Sequence, residues 1–145
     1  MAANDLSLLI LVSVILSYIG ILLVWYVLQV IAYWRIFSKA GEPGWKSIIP
    51  IYNIYVQYRI CWNTRIFWVS LVLGIAAFIF GIVGGIVGLI GNLCLLGVGA
   101  ISIIGTYKLS LAFGHGIPFA VGLYFLNPIF MLILGFGSSE YQGPQ

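Results

Sequence analysis

Long stretches of this chain carry no charge, and the few places where polar residues collect divide it into elements. From Leu6 to Trp34 there is no charged side chain; Ser13, Ser17 and Gln29 are polar positions within the run. A bilayer core needs about 20 mostly apolar helical residues. This first span is longer than that, so it is expected to tilt or protrude. Ser13 and Ser17 stand one helical turn apart and share a face. Trp25, Tyr26, Tyr33 and Trp34 form an aromatic shoulder before Arg35, as expected where a helix leaves a membrane.

Between Arg35 and Arg65 the pattern changes. Lys39-Ala40-Gly41 reads as a helix end, with a cation in the last turn and glycine just beyond. Glu42-Pro43-Gly44 reads as a turn. From Trp45 to Trp62 apolar and polar residues alternate without reaching span length. This predicts an amphipathic helix that is interfacial or re-entrant, with Pro50 tolerated near its start.

Ile66 to Tyr107 is again free of charge. It predicts two spans, near 66–82 and 89–107, joined by a tight turn. Gly81, Gly84, Gly85 and Gly88 admit two readings. They build the turn, or their GxxxG spacing lets helix backbones approach. Lys108 to Gly116 is a short connection holding His115. A fourth span is predicted over 117–136, kinked where Asn127-Pro128 interrupts it. The fold class expected is therefore all-α integral membrane, one domain over 1–145, with four transmembrane helices and one interfacial or re-entrant helix.

Composition supports this. Of 145 residues, 63% are apolar and 6% charged, against about 25% charged in soluble domains. The net charge of +3 includes no basic run of the kind that binds nucleic acid, so none is expected as a partner. Arg35, Lys39, Lys46, Arg59 and Arg65 all lie in one connection. The positive-inside rule places that connection in the cytoplasm, with both termini and the glycine turn outside. The N-terminus lacks the basic region of a secretory signal and reads as a retained span. Met1-Ala2 and the terminal Gly-Pro-Gln carry no lipidation signal.

The loop has the pattern K-A-G-x-x-G-W-x-x-x-I-P-x-Y-N, through Lys39, Ala40, Gly41, Gly44, Trp45, Ile49, Pro50, Tyr52 and Asn53. Phe113-Gly114-x-Gly116, Gly122-Leu123, Pro128, Phe130 and Leu134-Gly135-Phe136-Gly137 follow in the C-terminal half. Together they resemble a family of small uncharacterised bacterial multi-span membrane proteins, a domain of unknown function. Similar segments occur fused ahead of signal peptidase I domains, which gives such proteins that label. The resemblance implies a bacterial inner-membrane protein. It departs at His115, where a lysine is expected.

Candidate chemistry is sparse. Ser38-Lys39 and Lys46-Ser47 are sequence neighbours, and adjacent helical residues do not face each other as a serine–lysine pair must. One histidine, two isolated cysteines (Cys61, Cys94) and three scattered carboxylates make no ligand set, so neither metal nor cofactor is expected. His115 reads as a loop residue, and the cysteines as small buried hydrophobes. Lys39, Glu42, Trp45, Lys46, Tyr52 and Asn53 are the candidate contacts for membrane lipids or a protein partner. Gly81, Gly84, Gly85, Gly88, Asn127 and Pro128 are candidates for helix packing. The function expected is a non-enzymatic scaffold or accessory subunit, a homo-oligomer or bound to another membrane protein. The alternative is a small oligomeric transporter or pore for a neutral or small solute.

Overall fold

The computed structural model describes residues 3–145, with side chains from Asp5 onward. Six α-helices and one 3-10 turn make up these residues. Helix α1 (Ala3–Lys39) runs unbroken because no proline or charge interrupts it from Leu6 to Trp34. It ends as its sequence predicts. Gly41 takes φ +76°, the amide of Glu42 donates to Phe37 O (2.8 Å) and that of Gly41 to Ser38 O (3.2 Å). This is a Schellman closure, which uses the left-handed glycine to satisfy the last carbonyls.

The chain then turns back along α1. Gly44 begins the 3-10 turn (Gly44–Ser47) and lies so close to the Trp34 ring that a Cβ would stand 2.4 Å from Nε1. The Tyr26 hydroxyl donates to Ile48 O. Tyr26 lies over three helical turns before Lys39, so the segment has descended well below the helix end. Helix α2 (Pro50–Cys61) returns, with Pro50 in its first turn where no amide is required. Tyr33 Oη donates to Gln57 Oε1 (3.0 Å), so α2 climbs parallel to α1. The segment 45–62 therefore runs down and back up alongside α1.

Asn63 caps α3 (Thr64–Val83) by accepting from the Arg65 amide (2.9 Å). Helix α4 (Gly85–Ala112) follows after a single linking residue. Gly84 (φ +71°) and Gly85 (φ +58°) make that turn. Both predicted spans are present and extend a few residues past the predicted limits. A Cβ at Gly91 would stand 3.0 Å from Gly81 N and 3.1 Å from Ala77 O, so the helix pair also uses glycine for close packing. The turn falls on Gly84 and Gly85, and the close approach falls on Gly91 rather than on the GxxxG pairs.

The C-terminal third departs from expectation. In place of a fourth span over 117–136 there are two helices, α5 (Ile117–Phe125) and α6 (Asn127–Phe136), broken at Leu126. Each is about 14–15 Å long, half of a ~30 Å hydrocarbon core. They fold against each other. A Cβ at Gly122 would enter the Phe130 ring, and the Phe119 and Phe130 rings lie 5.1 Å apart, edge to face. Pro128 supplies the break, because it has no amide to donate and its ring clashes with the preceding turn.

Helix α6 climbs parallel to α1. Asn127 meets Gln29, and Leu134 and Gly137 meet Lys39. The tail then crosses the face where it emerges. The Gln142 amide donates to Ala112 O (2.7 Å), that of Gln145 to Cys61 O (3.1 Å), and the Tyr141 hydroxyl to Ile60 O (2.6 Å). The C-terminus thus shares a face with the ends of α1, α2 and α4. The sequence reading expects the tail opposite the Arg35–Arg65 connection; here it packs on the ends of α2 and α4.

The buried core sits at this end of the molecule. It joins Ala32, Ile36, Phe37, Val56, Ile60, Cys61, Leu109, Ala112, Phe113, Leu123, Met131 and Leu134. From Asp5 to Val27 every α1 residue is exposed. Three helices, α1, α3 and α4, are long and apolar enough to cross a membrane.

Candidate functional site

Lys46 and Arg59 converge on one carboxylate, that of Glu42. Glu42 Oε2 accepts from Lys46 Nζ at 2.5 Å, one turn away, and Glu42 Oε1 lies 3.3 Å from an Arg59 guanidinium nitrogen. The hydrogen bond to Glu42 holds the Lys46 ammonium above its ordinary pKa. Lys46 also lies over the Tyr52 ring, 5.7 Å from its centroid. The side chains of Lys46 and Glu42 are 12% and 14% exposed, and that of Arg59 52%. One negative charge faces two positive ones, and the surplus is displayed at Arg59.

Trp45 stacks on Tyr52 (6.2 Å) and Tyr52 on Tyr55 (5.8 Å), while Tyr55 meets Phe67 of α3 edge to face (5.3 Å). Tyr52, Tyr55 and Phe67 of this row wall an open groove of about 580 Å³ between α2 and α3. Ile49, Ile51, Trp68 and Leu71 complete its sides, and Arg59 its rim.

Lys39 stands apart from this cluster. Its ammonium donates to Leu134 O and Gly137 O, both at 2.7 Å. It closes the end of α6, where unpaired carbonyls and the helix dipole favour a cation. Asn53 Nδ2 reaches Ser47 O at 3.4 Å, whereas Asn53 Oδ1 and Ser47 Oγ are buried without a partner. The loop's candidates thus divide. Glu42, Lys46, Trp45 and Tyr52 form one constellation, Asn53 sits beneath it, and Lys39 serves another element.

Gly84 forms the α3–α4 turn, with Gly85 beside it, and a Cβ at Gly88 would stand 3.9 Å from Phe80 O. Gly81 receives Gly91. Asn127 and Pro128 sit at the tip of the α5–α6 hairpin. There Asn127 Oδ1 accepts from Gln29 Nε2 (2.8 Å), and Asn127 Nδ2 donates to Leu123 O (3.1 Å).

Arg59 is not among the contact candidates that the sequence singles out. Nothing in spacing alone shows that α2 folds back on α1. Its helical period does align Asn53 with Gln57, and Gln29 with Tyr33, which is the signal for two facing polar stripes.

Catalytic arrangements find no geometry in the loop. Ser38 Oγ donates to its own helix at Trp34 O (2.8 Å), and Lys46 is held by Glu42. Among the described residues no three His, Cys, Asp or Glu side chains come together. Cys61 and Cys94 are both free thiols. Burial pushes the Cys61 thiol up to about 12, out of the range of a nucleophile at neutral pH. His115 stacks on Phe119 (4.1 Å, 14°), and its Nε2 meets Ser139 Oγ at 2.7 Å, which fastens the tail.

Three helices long and apolar enough to cross a membrane, with two shorter arms folded against them, suggest an α-helical membrane protein. The chain matches the model of a family of unknown function, DUF5684, over residues 45–144, and belongs to that family. The match takes in both arms, α3, α4 and the tail. No curated protein and no solved structure matches the chain.

Proposed function

We propose that this protein is a non-enzymatic integral membrane scaffold or accessory subunit of the bacterial inner membrane. Its loop face lies in the cytoplasm and contacts lipid headgroups or a partner. One observation carries the reading. The polar groups of that face are spent on the fold, with Lys39 closing α6 and Glu42 gripping Lys46. What they leave outward is a rim of Arg59, Arg65, Trp45 and Trp68. Such a rim suits binding at headgroup depth. Orientation follows from charge, since Arg35, Lys39, Lys46, Arg59, Arg65 and Lys108 all fall at this one end. The exposed surface of α1 from Asp5 to Val27 is available to a second copy or to another membrane protein.

A small oligomeric transporter is the second reading. The observation favouring it is the pair of re-entrant arms, whose tips meet α1 at Tyr26 and Gln29. Non-helical backbone at membrane depth is tolerated where protein buries it or where it lines a hydrated path. Assembly in nanodiscs separates the two. A compact or lipid-filled assembly, or a stable heterocomplex, agrees with the scaffold. A closed ring with a continuous polar lumen would overturn it.

A further inference from the structure

We infer that the groove between α2 and α3 seats one anionic phospholipid, with its phosphate on Arg59 and an acyl chain along Phe67, Trp68 and Leu71. The inference rests on the reading of this face as a membrane surface.

Glu42 is shared by two cations, and the better contact goes to Lys46, at 2.5 Å against 3.3 Å for Arg59. Lys46 and Glu42 are nearly enclosed, so the cluster's unbalanced positive charge is presented by Arg59, whose side chain is half exposed. A guanidinium has five donors in a planar fork that matches two phosphate oxygens at once. Only one edge of this fork is turned to Glu42.

Depth agrees. Arg59 sits in the last turn of α2, at the face where the chain crosses to α3. Ile51 lies eight residues earlier, about 12 Å further down a helix. The groove between them is lined by Ile51, Tyr55, Phe67, Trp68 and Leu71. A headgroup charge at the rim and an apolar channel leading down from it reproduce the layout of a phospholipid. Tyr52, Tyr55 and Trp68 occupy the intervening level, where amphipathic rings are favoured at the edge of the hydrocarbon. The opening faces sideways, with Ile51 and Trp68 both exposed, so a lipid enters from the bilayer without any movement of the fold. A neutral phospholipid would offer the same chain, but its own cation would oppose the surplus charge at Arg59. The seat therefore selects headgroup charge.

The test uses the full chain in mild detergent, titrated with phosphatidylglycerol or phosphatidylcholine. Thermal unfolding and native mass spectrometry supply the readouts. The wild type is expected to retain one phosphatidylglycerol and to be stabilised by it more than by phosphatidylcholine. Arg59→Gln is expected to weaken phosphatidylglycerol binding about tenfold, the loss of one charge-assisted contact. Leu71→Trp fills the groove without touching charge, so it should abolish the retained lipid even if Arg59→Gln folds poorly. Lys108→Gln, a basic position on α4 outside both the groove and the rim, should bind as the wild type does. If both groove variants bind phosphatidylglycerol like the wild type, the seat is overturned, while a general headgroup preference survives. If the wild type shows no preference between the two lipids, the seat and the headgroup reading fall together. A second copy of the chain held at this groove, and lost with Leu71→Trp, would also overturn the lipid assignment.

Discussion

Gln29 Nε2 donates to Asn127 Oδ1 across 2.8 Å, joining the middle of α1 to the tip of a hairpin 98 positions away. This contact pins α5 and α6 into half-height helices beside α1. In lipid such a bond is worth about 0.6 kcal/mol on average. A double-mutant cycle with Gln29→Leu and Asn127→Leu should return a coupling of about that size. Independent, additive effects of the two substitutions would mean that the contact does not form.

Lys39 makes two charge-assisted bonds to the end of α6. Lys39→Met keeps the length of the stem and removes the donors. It should cost about 2 kcal/mol, in the range for hydrogen bonds to charged groups. Proteolysis should locate the damage at the tail, because α6 and residues 137–145 lose their closure. Unchanged unfolding would show the ammonium to be dispensable.

The glycines of α3 and α4 should separate by role. Gly91→Ala drives a Cβ into the backbone of Ala77 and Gly81, an overpacking cost of about 1–3 kcal/mol. Gly84→Ala forces alanine to φ +71°, a strain of roughly 1–2 kcal/mol. Gly81→Ala meets nothing within 4 Å and should fall within about 0.5 kcal/mol of wild type. Equal losses at all three positions would contradict this division.

Alkaline pH should weaken the fold through two groups with the same sign. The folded-state pKa of Lys46 is raised by its bond to Glu42, and that of Cys61 by burial. A raised folded value contributes stability that is complete below the unfolded value and is lost as pH climbs through the folded one. The unfolded values are about 9.0 for the thiol and 10.5 for the ammonium. The melting temperature should therefore hold at neutral pH and begin to fall above pH 9. Lys46→Gln should flatten the portion above about 10.5. The same burial predicts that Cys61 resists maleimide at pH 8 until the chain is unfolded. Rapid native labelling at that position would count against the packing of α2.

The tail and the loop share a face, so Pro43→Cys and Ser138→Cys should label from the same side of the membrane. An N-terminal epitope should be reached from the other. Labelling of the two cysteines from opposite sides would restore a fourth span.

By itself, the sequence determined much of this architecture. A charge-free run as long as 66–107 has no stable home but helices in lipid, since its backbone groups must pair internally. The Lys39-Ala40-Gly41 stop and the Gly84-Gly85 turn were equally legible, because both depend on local backbone geometry that glycine alone adopts easily. Tertiary structure decided the rest. Residues 117–136 are long enough to cross a membrane once or to enter and return, and their helical periodicity is the same either way. Charge does not discriminate, as residues 137–145 contain Glu140 but no Lys or Arg. What selects the hairpin is a set of contacts spanning about 30 to 98 positions, Gln29 with Asn127, Lys39 with Leu134, and Gln142 with Ala112. The constellation of Glu42, Lys46 and Arg59 was half legible for the same reason. The first two residues are one turn apart in sequence, whereas Arg59 reaches Glu42 only because α2 climbs back to the face from which the loop descended.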